Sequence, residues 1–458
     1  MGSSIGKHEG YAMALLGIKK SFVRFPQDFL WGAATADYQV SGGSVGNWAD
    51  WEKSKPRLRQ LIADGVNPKR LREFIAGDAC EFNKRYPQDL SMARAFGHNA
   101  IRFSIDWARV ETTQGVFDKA VLNNYRAMCD TARSMGLEPI VTLYHWTHPR
   151  WFEKAGGWTQ DDAAEQFWRF VSTVLPYLGP IKYFTVLNEP NVYATFSYRW
   201  DMWPPQMASE GAYWASFRQL LQGYRLSHIE IKKVLPAAQV GIAMAINWND
   251  SDDPAQKLHE DRFHTDWLDQ LHNAGLLDFI GIQTYMHSYW CTKDPSKNKF
   301  GWEGHDRCTD HPVQSDMIGA KHEHWGMCPE AIYRTVTETY NRYRIPVMVT
   351  EHGHAIPEMV DHRRCWYLWE SIGWLEKAIA EGVPLIGYLH WSLLDNFEWK
   401  YGWGPQFGLF HVDRTTQKRT PRFSAVMYRD IIYASGRTNE IAMRYSSVIT
   451  RPPVARSA

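Results

Sequence analysis

Two glutamates in this chain stand at the ends of apolar, β-prone runs. Glu189 follows Phe184–Asn188 in FTVLNEP, and Glu351 closes PVMVTE. Such runs belong in a core, so a carboxylate at the last step needs a reason. Taken singly, a glutamate there is ordinarily an exposed loop residue. Here other runs also carry or end on polar or flat side chains: Arg102 within AIRFSI, His145 after PIVTLY, Tyr285 in DFIGIQTY and Trp391 in PLIGYLHW. Two carboxyl groups facing each other across a sugar ring are what cleavage of a glycosidic bond requires. One must be ionised, which a cation such as Arg102 would favour. The other must keep its proton, which its partner's negative charge favours.

The elements that would bring them together are legible as a repeated unit. Apolar runs fall at 29–35, 100–105, 139–145, 183–188, 240–246, 278–285, 346–351 and 384–391. Most are continuous rather than alternating, as expected of parallel strands covered on both faces. Helical stretches lie between several of them, at 119–135, 161–178, 213–235, 329–343 and 362–381. Some open on Pro329-type or cap-like residues and some end near Gly136, Gly179 or Gly382. Eight β-then-α units predict one (β/α)8 TIM barrel with its active site at the carboxyl ends of the strands. An open doubly wound sheet is the alternative, weakened by the lack of a Gly-rich phosphate loop in strand–turn–helix context. The expected organisation is an N-terminal extension over 1–20, a catalytic barrel over 21–440 and a C-terminal tail over 441–458. The polar, turn-rich segment 286–328 reads as an elaborated loop after the sixth strand.

Composition narrows the chemistry. A formal net charge of +1 with no long basic run gives nucleic-acid binding no electrostatic support. No stretch is long and apolar enough to predict a membrane span. The short YAMALLGI near the start, flanked by lysine, reads as a loose extension rather than a signal peptide. Six scattered cysteines fit a reducing compartment better than a disulfide framework, so a cytoplasmic location is expected. The 22 tryptophans suit either a large core or a sugar site, because an indole face can cover the C–H face of a pyranose. Cys291, His305, Cys308, His311, His322, His324 and Cys328 invite a zinc reading, but their spacing is loose; no metal or cofactor is expected.

From about Phe25 to Tyr433 the sequence resembles the family 1 glycoside hydrolases, the retaining β-glucosidases and β-galactosidases. FLWGAATADYQVSGG, IRFSIDWARV, TLYHWTHPRW, TVLNEP, VTEHG, HWSLLDNFEWKYG and FGLFHVD carry the resemblance, in order and on the predicted strands. It implies Glu189 as general acid/base and Glu351 as nucleophile, their carboxyl carbons ~5–5.5 Å apart as in retaining enzymes. It implies that Arg102 and Tyr285 position the nucleophile. Gln39, His145, Trp146 and Asn188 would bind the glycone, with Trp391 beneath the ring and Glu398 and Trp399 on its O3, O4 and O6 side. Trp325 is a candidate on the leaving-group side, as are Trp290 or Trp302. The implied substrates are β-linked di- or oligosaccharides and aryl or alkyl glucosides; no nucleic acid or membrane partner is implied.

The departures lie near the reacting centre. Gln283 and His352 stand where the family has asparagines, Thr284 where it has tyrosine, and Ser41 and Gly43 where glutamate and alanine are common. His352 is read either as a packing substitution or as a cation beside Glu351. Two other functions stay open: a 6-phospho-β-glycosidase, which a charged Glu398 would oppose, and a catalytically silent sugar binder.

Overall fold

The computed structural model describes residues 22–293, 299–300 and 327–449. Eight parallel strands close into a barrel: β1 (Leu30–Ala34), β2 (Ala100–Ser104), β3 (Glu138–Tyr144), β4 (Tyr183–Asn188), β5 (Gln239–Ala245), β6 (Phe279–Gln283), β7 (Val347–Glu351) and β8 (Leu385–Trp391). Each pairs with its neighbours in chain order, and β8 returns to β1 with Leu30 opposite Gly387 and Ala34 opposite Trp391. A helix follows every strand: α1 (Phe82–Ala95), α2 (Lys119–Ser134), α3 (Ala163–Leu178), α4 (Glu210–Val234), α5 (Pro254–Asn273), α6 (Ala331–Tyr343), α7 (His362–Ala380) and α8 (Phe423–Tyr433). Closure leaves no open strand edge in the barrel and buries every strand twice, which explains the continuous apolar runs.

Three of these helices start on ordinary side-chain caps. Asp118 accepts from the amides of Ala120 and Val121 to open α2, Ser209 from Ala212 to open α4, and Asp253 from Ala255 to open α5. The apolar stripes these helices present pack on the outward side chains of the strands. Phe103, Val141, Phe184, Val240, Ile280, Ile282, Val347 and Val349 belong to that outer core. A second, smaller core of Ala100, Ile140, Tyr183, Phe279, Met348 and Leu389 fills the barrel's interior.

Strand pleating therefore sorts side chains by parity. In β2, Ala100, Arg102 and Ser104 share the inner face, and in β6 Phe279 and Gln283 do. The register slips between Thr185 and Asn188 in the β4–β5 pairing, and between Val349 and Glu351 in the β6–β7 pairing. In β4 both Val186 and Leu187 pack outward, so Asn188 comes back to the interior. The two irregularities sit immediately before the two glutamates.

Beyond the barrel, 248–251, 287–290 and 299–300 form a small three-stranded sheet from the loops after β5 and β6, and 410–413 pairs with 418–421 as a hairpin. The segment from 441 onward, expected as a tail, is helical and packed as far as Ile449, with Ile441, Ala442, Val448 and Ile449 buried.

Candidate active site

Strand β4 ends on Asn188, and Glu189 turns the chain. Its backbone takes the left-handed conformation, φ 37° and ψ 58°, and its amide donates to the Ala243 carbonyl at 2.7 Å. Pro190 follows as the first residue of a short helix, where its missing N–H costs nothing. Glu351 is the last residue of β7. Both glutamates are buried, at 7% and 4% exposure. This answers the sequence question: the strands end in carboxylates because their ends face a shared interior mouth rather than solvent.

Arg102 organises that mouth. Its Nη1 donates to Glu351 Oε1 at 2.5 Å and its Nη2 to Asn188 Oδ1 at 2.6 Å, so one fully buried guanidinium ties the ends of β4 and β7 together. Its Nε reaches Thr185 Oγ1 at 3.5 Å, and Thr185 is held by Thr142 at 2.6 Å. Tyr285 Oη donates to Glu351 Oε2 at 2.8 Å. The Gln283 amide N–H donates to Asn188 Oδ1 at 2.8 Å and lies against Glu351 as a further donor.

The two carboxyls are thus unlike. Burial pushes both up. Arg102, Tyr285 and Gln283 oppose that push at Glu351, favouring its ionised form. At Glu189 burial is joined by the charges of Glu351 and Glu398, with only Arg102 opposing, and its carboxyl rises well above the usual range. Of the pair, Glu351 gives up its proton first and Glu189 holds its own.

The remaining candidates line the same mouth. Trp146 donates its indole N–H to the Asn188 carbonyl at 2.9 Å and packs on Trp399, ring centroids 4.8 Å apart. His145 stands between Trp391 and Trp399, stacked at 6.3 and 5.9 Å. Burial and the Arg102 charge hold it neutral, and its Nδ1 has no partner among the described residues. Gln39 donates to Glu398 Oε2 at 3.3 Å and Asn396 to the same oxygen at 2.8 Å. The Trp391 indole also donates to Glu398, yet burial still pushes that carboxyl up to about 8. The structure therefore brings Gln39, Arg102, His145, Trp146, Asn188, Glu189, Tyr285, Glu351, Trp391, Glu398 and Trp399 together. Trp325 and Trp302 lie outside the described residues, as do His305, Cys308, His311, His322 and His324 of the zinc reading. Cys291 is near the Asp252 carboxylate at 3.6 Å and Cys328 is buried.

His352 turns away from Glu351. Its ring stacks on Tyr367 at 4.8 Å and 13°, its Nδ1 meets Tyr388 Oη at 3.0 Å, and burial pushes its pKa down to about 3. The packing reading holds, and the cation reading does not. Two contributors were not singled out from sequence. Asn396 grips Glu398 from two residues upstream, a contact that the adjacency of amide and carboxylate in DNFEW could have suggested. Gln283 appeared only as a departure, because its reach across to β4 is a matter of barrel closure.

Comparisons with known proteins match the chain along nearly the whole barrel. The family model described as Glycosyl hydrolase family 1 matches residues 22–266 and 259–437. A curated β-glucosidase A of Thermotoga maritima is 29% identical over 90% of this chain and 98% of its own length. A β-glycosidase structure from Pyrococcus horikoshii superposes with a TM-score of 0.78 at 27% identity, covering 94% of this chain and 99% of that one. A family 1 β-glucosidase structure from Thermotoga maritima gives a TM-score of 0.78 at 26% identity, covering 91% and 100%.

Proposed function

This chain belongs to glycosyl hydrolase family 1 and is a retaining β-glycosidase, and from that premise we propose how its own residues divide the work. Glu351 attacks the anomeric carbon of a terminal, non-reducing β-D-glucosyl residue while Glu189 protonates the departing oxygen. Water deprotonated by Glu189 then releases the covalent glycosyl-enzyme. The observation that carries the assignment is the asymmetry of the two carboxyls: Arg102 and Tyr285 donate to both oxygens of Glu351, and neither donates to Glu189. A nucleophile needs its charge held ready; an acid needs its charge discouraged.

The glycone lies, in this reading, between Trp391 and the amide and carboxylate groups of Gln39, Asn188 and Glu398. His145, neutral and with an unpartnered nitrogen, offers it a further hydrogen bond. Substrates are β-glucosides of sugars, aryl or alkyl groups, and galactosides or fucosides that keep most of these contacts. The chain works without metal or cofactor in this scheme and acts in the cytoplasm. No helix among the described residues is long and apolar enough to cross a membrane.

The case against a phosphorylated glycone shifts from charge to partners. Burial holds Glu398 largely protonated at neutral pH in the free protein, so its repulsion of phosphate is weaker than a bare carboxylate's. The adjacent Lys400 instead lies over the Tyr401 ring at 4.8 Å.

Hydrolysis of an aryl β-glucoside by the wild type and by Glu351→Ala tests the assignment. The variant is expected to lose on the order of 10⁴-fold or more in kcat with its fold intact. An inert wild type, or a variant that retains activity, removes the proposal. Faster turnover of the 6-phosphoglucoside than of the plain glucoside would transfer the chain to the phospho-glycosidase reading.

A further inference from the structure

Two buried amides in the site are oriented by chemistry rather than by choice. Asn188 Oδ1 faces Arg102 Nη2 at 2.6 Å. A guanidinium only donates, so the Asn188 atom toward it must be the carbonyl oxygen. The Gln283 atom 2.8 Å from that oxygen must then be its NH2. Fixing both amides this way leaves Asn188 Nδ2 and Gln283 Oε1 over, a donor and an acceptor that are both buried and without a partner among the described residues. Burying such groups unsatisfied costs roughly 1–3 kcal/mol each, so they are expected to meet a ligand or water.

Their location says which part of a ligand. Gln283 is the cross-strand partner of Glu351 in the β6–β7 pairing, and Asn188 precedes Glu189. With Glu351 bonding to the anomeric carbon, the hydroxyl on the adjacent carbon, C2, falls beside these two residues. A hydroxyl both donates and accepts, so an amide N–H and an amide oxygen presented together match it. Asparagine at position 283 would draw its amide back by about one C–C bond, ~1.5 Å, and lose its hold on Asn188.

We propose that Gln283 is a specificity-determining residue for the sugar's C2 hydroxyl: its N–H locks the Asn188 amide so that Nδ2 donates to O2, and its own Oε1 accepts the O2 proton. The proposal rests on Glu351 as the attacking group and extends it to the choice of glycone. Because hydrogen bonds at this hydroxyl strengthen in the transition state, Gln283 raises kcat/KM for glycones bearing an equatorial 2-hydroxyl over those lacking one.

The experiment compares kcat/KM for an aryl β-glucoside and the corresponding aryl 2-deoxy-β-glucoside, corrected for spontaneous hydrolysis, in wild type, Gln283→Met and Gln283→Asn. The ratio of the two constants is expected to fall roughly tenfold in Gln283→Met, with the loss mainly on the glucoside. Equal losses on both substrates, leaving the ratio unchanged, would mean that Gln283 only supports the fold and would overturn the proposal. If Gln283→Met does not fold, Gln283→Asn carries the same comparison, and an undiminished ratio there overturns it equally. A wild type that hydrolyses neither compound would defeat the glycosidase assignment itself, which is a separate outcome.

Discussion

Glu189 and Glu351 are the same side chain in different surroundings, and the proposed division of roles rests on that difference. Three donors meet Glu351, whereas burial and the negative charge of Glu351 act on Glu189. The signs fix the pH profile. Under the proposed roles turnover requires Glu351 ionised, so activity falls as pH drops below its pKa. The proposed acid role also requires Glu189 protonated, so activity falls as pH rises past its raised pKa. Glu189→Gln should abolish the alkaline limb, seen in the pH dependence of kcat/KM. The loss should be on the order of 10²–10⁴-fold for a poor leaving group and much smaller for a dinitrophenolate, which departs without a proton. Equal losses for both leaving groups would contradict the acid role. At this scale the motifs singled out Glu189, Glu351, Arg102 and Tyr285 as candidates, and the structure brings them together. The neutrality of His352 was not readable from them, because it depends on Tyr367 and Tyr388 enclosing the ring.

Among the elements, the ends of β7 and β8 show how tightly the carboxyl rim is drawn. The Trp391 amide donates to the His352 carbonyl at 3.0 Å. One residue further on, Gly353 passes so close that a Cβ there would lie 1.9 Å from the Trp391 carbonyl oxygen. Only glycine permits that approach. Gly353→Ala is expected to push Glu351 and Trp391 apart, cost ~1–3 kcal/mol, lower the thermal midpoint by several degrees and reduce kcat/KM together with it. Unchanged melting and unchanged kinetics would show that the two strand ends are not locked in this way. The eight runs were found within a residue or two of their observed ends, because continuous apolar runs leave few alternatives. The register slips in β4 and β7 left no such trace.

Over the whole molecule, buried titratable groups set how stability varies with pH. Burial pushes His98 and His352 down to about 3 and His264 to about 4, from an ordinary 6.5. The unfolded chain therefore binds protons there that the folded chain refuses, and stability is lost as pH falls below 6.5. Burial pushes Glu52 up to about 7 and Glu398 up to about 8, from an ordinary 4.5. The folded chain keeps those protons longer, so stability is lost as pH rises from 4.5 toward 8. The two sets oppose each other between 4.5 and 6.5 and act alone outside it. The thermal midpoint of the ligand-free protein should peak near pH ~6 and decline on both sides, with Glu52→Gln flattening the alkaline decline. A midpoint that climbs steadily to pH 9 would refute this account.

The sequence by itself determined the barrel and the order of its strands, and it offered the candidate side chains for cutting a glycosidic bond, because those follow from local patterns: apolar runs, caps and motifs contiguous in the chain. It could not determine which way the glutamates point. Outward Val347 and Val349 and inward Met348 set an alternation that, continued unbroken, turns Glu351 toward the helices. In β4 the same count puts Leu187 inside and Asn188 outside. Register slips against the neighbouring strands reverse both. Pairing between segments far apart in the chain thus delivers Glu351 to Arg102 and Asn188 to Gln283, and no reading of either strand alone contains it.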